Sequence, residues 1–94
     1  MNPKQAHFIH DHKIYESWTI VQAAKFQMVQ DILCILIEYY NRIIEQALGR
    51  PVMTAELVYH KEKLLKELVG DMTNKDKEEM NQLLNAADTL MNPT

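Results

Sequence analysis

Cysteine is almost missing from this chain: a single residue, Cys34, excludes an intrachain disulfide and a multi-cysteine zinc site. Glycine and proline are nearly as scarce, at two and three in 94 residues, too few for the many turns of a β-sandwich or barrel. Aromatic residues at 7% make no platform for stacking bases. An excess of positive charge is lacking too: Lys+Arg 10 against Asp+Glu 13 leaves a net charge of −3, contrary to what a nucleic-acid binder needs. Long hydrophobic runs are absent. The longest, Ile32 to Ile37, would span only ~9 Å as a helix against ~30 Å of hydrocarbon, so no membrane segment is expected. The residues after Met1 show no apolar core or small-residue cleavage site, so no signal peptide is expected. With the lone thiol inside an apolar run, this points to a reducing, cytoplasmic setting.

What is present is ordinary globular material, 47% hydrophobic and 24% charged, patterned for helices. The reading is all-α: a single domain over residues 1–94, forming a small helical bundle of one long N-terminal helix and two shorter ones, completed by dimerisation. No glycine or proline lies between Lys4 and Leu48, so this stretch reads as one long helix or as two meeting at an unmarked break. Asn2-Pro3 with Gln5 is one start signal and Ser17 a later one; residues 1–13 are then either the head of the helix or a separate short helix or mobile arm. Gly49 and Pro51 mark the stop. A second helix is predicted from Thr54 to Val69, ahead of Gly70. A third is capped by Thr73 with Asp76, carries Met80, Leu83, Leu84, Ala87 and Met91, and ends at Asn92-Pro93.

The long helix carries two apolar seams. Phe26, Val29, Leu33, Leu36, Tyr40 and Ile43 step in heptad fashion and are the expected core. Trp18, Val21, Met28, Ile32, Ile35 and Tyr39 form a second seam roughly 100° away, interrupted by Lys25, and are the expected interface. Asp31, Glu38 and Glu45 mark a narrow wet stripe. Between Asp31 and Gln46 ten of sixteen residues are Ile, Leu, Cys or Tyr, more than one face can hold. A 30-residue helix would also be ~45 Å long, longer than a compact globule of this size is wide. A homodimer pairing the second seam with its twin answers both points.

Candidate chemistry is sparse. His7, His10 and Asp11 lie at i, i+3, i+4 and are the residues that would hold a divalent metal, with His12 beside them and His60 the only other imidazole. The pattern matches no trusted metal signature, so no metal or other cofactor is expected and the segment reads as solvated. Cys34 is flanked by Leu33 and Ile35 and reads as core, lacking the helix N-terminus or cationic neighbour that activates a thiol. No nucleophile–base–acid order and no phosphate loop occurs, so no enzyme is expected. Arg50, Lys61, Lys63 and Lys66 gather around the second helix, and Thr54-Ala55-Glu56-Leu57 faintly matches the opening of a helix-turn-helix unit. Yet no recognition helix follows, and Glu62 and Glu67 interleave the lysines.

In general outline the chain resembles the small helical regulators and adaptors of bacteria and their phages. It departs from the secreted helical-hairpin dimers of similar length, reading Leu48-Gly49-Arg50 where those carry a WxG turn. The expected function is therefore a non-enzymatic protein–protein interaction module: an adaptor, inhibitor or antitoxin-like regulator presenting an apolar helical face. The alternative is a metal-responsive or DNA-associated regulator using the histidine cluster or the Lys-rich second helix.

Overall fold

A computed structural model describes residues 1–92, and its helices begin where the sequence offers caps. Asn2 Oδ1 accepts from the Gln5 N–H and Gln5 Oε1 from the Asn2 N–H, both at 2.8 Å, with Pro3 at the first helical position. This reciprocal box opens α1, Pro3–Asp11. Lys13 adopts the left-handed region (φ 50°), and one 3-10 turn, Ile14–Ser17, follows. Ser17 does not open a helix; its hydroxyl donates to the Ile14 carbonyl at 2.8 Å and closes that turn. Thr19 and Gln22 form the second box, opening α2, Ile20–Met28.

Here the structure corrects the sequence reading. There is no single long helix: α2 stops at Met28, and the chain runs irregularly over 29–36 before α3, Ile37–Leu48. The physical reason lies in the two-sided apolar pattern. By breaking, the chain folds α3 back against α2, so Phe26 and Met28 share a core with Tyr40, Ile43 and Ile44. Part of the surplus apolar surface, Cys34, Ile35, Tyr40, Ile43 and Ile44, is thereby buried within one chain, while Leu33, Leu36 and Ile37 stay exposed.

α3 ends at left-handed Gly49 (φ 70°), whose N–H donates to the Glu45 carbonyl at 2.9 Å, as the Gly-x-Pro stop predicts. The expected second helix is two: α4, Thr54–Tyr59, and α5, Lys61–Val69, divided at His60 (φ −126°, ψ 35°). The sequence offers Thr54 as the cap of this helix, but Met53 occupies the cap position and Thr54 is the first helical residue. Thr73 and Asp76 open α6, Asn74–Met91, in the expected box. Of its stripe, Met80 and Ala87 are buried, while Leu83, Leu84 and Met91 are half-buried. The expected stop at Asn92-Pro93 falls partly outside the described residues, which end at Asn92.

Six α-helices thus make the fold, with no strand among the described residues. The body measures 42 × 28 × 20 Å, and no helix of the described residues is long and apolar enough to cross a membrane. Polar ties join the helices. Gln5 Nε2 donates to both Asp88 carboxylate oxygens at 2.8 and 3.0 Å, fastening α1 to α6. Lys25, the residue out of character on the second seam, is buried and reaches Asp76 at 3.0 Å and Glu79 at 3.1 Å, fastening α2 to α6.

Candidate interaction surface

The irregular segment 29–36 is built around one side chain. Gln27 is buried near the end of α2, and its Oε1 accepts from the Cys34 N–H at 2.8 Å and the Ile35 N–H at 3.1 Å. Its Nε2 donates to the Ile32 carbonyl at 3.0 Å. From α5, Lys61 Nζ donates to the Gln30 carbonyl at 2.6 Å. The two side chains thus take up four backbone groups of the segment, the Cys34 and Ile35 N–H and the Gln30 and Ile32 carbonyls, in place of helical bonds. With that backbone fixed, Cys34 and Ile35 are driven fully into the core and Leu33 and Leu36 are left outside.

Leu33 belongs to an exposed apolar strip. Leu33 is 49% exposed, Ile37 41%, Val58 62% and Tyr59 79%. Leu33, Ile37 and Val58 line a groove of about 310 Å³ that polar and charged side chains, Gln30, Asp31 and Lys61 among them, also border. On its other side Leu33, with Ile32, borders a groove of about 270 Å³ against Pro3, Ala6, His7 and His10 of α1. Leu33 is thus the divide between two adjoining depressions, and Val58 and Tyr59 extend the apolar surface along α4.

The expected core and interface sets are redistributed by the break. Of the core set, Phe26, Tyr40 and Ile43 are buried, whereas Val29, Leu33 and Leu36 are exposed, because the heptad register ends with α2. Of the interface set, Met28 and Ile35 lie in the core. Trp18 is half-buried against Phe26 (ring centroids 4.7 Å apart), and Tyr39 is half-buried against Tyr15 (5.1 Å). Ile32 is half-buried and Val21 exposed. These six residues do not form one continuous seam. Asp31 and Glu38 are wet as expected, but Glu45 is half-buried and accepts from the Val52 N–H at 3.0 Å.

His7, His10 and His12 are exposed on or beside α1. Among the described residues no three His, Cys, Asp or Glu side chains of the chain gather closely enough to hold a metal ion. Of the basic set, Arg50 is spent on carboxylates: Glu67 takes its Nε and Nη2 at 2.9 and 3.1 Å, and Glu56 takes Nη2 at 3.1 Å. The Arg50 hydrogen bonds hold both glutamates below the usual carboxylate range, and the two carboxylates raise the guanidinium in return. Burial pushes the Cys34 thiol up to about 12, which keeps it protonated and unreactive at neutral pH. Burial also raises Tyr40.

Sequence reasoning missed the strip. Val58 and Tyr59 sit off the Leu57–Leu64 stripe, and that displacement of two large apolar residues onto a wet face was the available signal. Comparison with family models, with curated proteins and with solved structures finds no match for this chain.

Proposed function

We propose that this protein is a non-enzymatic helical interaction module, an adaptor, inhibitor or antitoxin-like regulator of another protein, and that the Leu33–Ile37–Val58–Tyr59 strip is the face it presents. One observation carries the reading: four large apolar side chains of α3, α4 and the 29–36 segment stand exposed, Leu33, Ile37 and Val58 around one groove and Tyr59 beside Val58 on α4. Single exposed apolar residues are routine on any protein surface, but a contiguous patch with an aromatic at one end marks a contact surface. The engagement of Arg50 by Glu56 and Glu67, with the net charge of −3, weighs against a DNA role. A buried, protonated lone thiol suits a reducing cytoplasm.

The simplest occupant is a second copy, since twofold symmetry makes one patch complementary to itself. Sedimentation equilibrium up to about 100 μM, where a micromolar dimer is largely formed, is expected to give a mass above one chain. Val58→Asp with Tyr59→Ala is expected to weaken association at least about tenfold while leaving the melting temperature within a few degrees, both residues being exposed. A single species of 11.0 kDa throughout would exclude self-association. Unfolding of the double variant would place the strip in the core instead.

A further inference from the structure

We draw no further inference here: the strongest candidate, the groove of about 390 Å³ that Val29, Met72, Met80 and Leu84 line between the 29–36 segment and α6, is an unpartnered apolar face, and nothing in the structure shows what covers it.

Discussion

A buried side-chain amide that accepts from two backbone N–H groups and donates to a backbone carbonyl has nearly exhausted its hydrogen-bonding capacity, and Gln27 is in that state. Such a group does little for stability through each bond alone, but removing it strands the backbone groups it served, at ~1–3 kcal/mol for each buried orphan. Gln27→Leu keeps the volume and deletes the acceptor. Urea denaturation is expected to show a loss of at least ~2 kcal/mol, with Cys34 and Ile35 N–H unpaired. A loss under ~0.5 kcal/mol would mean that water reaches the segment and replaces the amide. Nothing in the sequence marked this residue, because a glutamine next to an apolar run reads as helix surface. Its role depends on groups five to eight positions later that approach it only once the helix has ended. Cys34 was legible as core for the opposite reason, since its neighbours alone declare it.

At the scale of elements, the starts and stops legible in the sequence were those whose causes lie within four residues. Asn2 with Gln5, Thr73 with Asp76, and Gly49 ahead of Pro51 act locally and stand where the motifs place them. The breaks at 29–36 and at His60 carry no glycine or proline, and their cause is tertiary: α2 and α3 bury each other, and Leu57 and Leu64 both turn inward. A heptad spacing is the same string of letters whether or not the helix continues, so the seam through Val29, Leu33 and Leu36 outran its helix. Adjacent residues test this directly. Ile35→Ala is expected to cost ~2–5 kcal/mol by lost transfer energy and a cavity, and Leu36→Ala less than ~1 kcal/mol. A continuous first helix with the heptad seam as core would reverse that order in a chemical denaturation series.

For the molecule as a whole, the all-α architecture was legible from composition and period, while the surface was not, since which apolar residues stay outside is decided only after the helices have packed. Acid is expected to unfasten the packing at identifiable points. The Thr73 N–H first, then Lys25 and the Thr73 hydroxyl, hold the Asp76 carboxyl down to about 2, against 3.8 when free. Lys25 itself is opposed by burial, but Asp76 and Glu79 outweigh this and raise it. Because Asp76 is depressed in the folded chain, its contribution is complete above pH 3.8 and is lost as pH falls toward about 2, where the folded form also takes up the proton. The melting temperature is expected to drop across that window, and Asp76→Asn to lower it at neutral pH and flatten the drop. A wild-type melting temperature constant from pH 5 to about 2.5 would contradict the assignment.

Leu33 is also held outward by the same four-residue stretch that drives Cys34 and Ile35 inward, so the exposed strip and the core are two sides of one piece of chain. A state in which this stretch detaches has lost both. Whatever binds at Leu33 therefore binds the native ensemble alone, and by mass action its binding energy becomes folding energy: an occupant at a hundred times its dissociation constant adds ~2.7 kcal/mol to the stability of the entire domain. Any occupancy of the strip and the melting of the fold would in this sense be a single coupled equilibrium, with Gln27 as its joint.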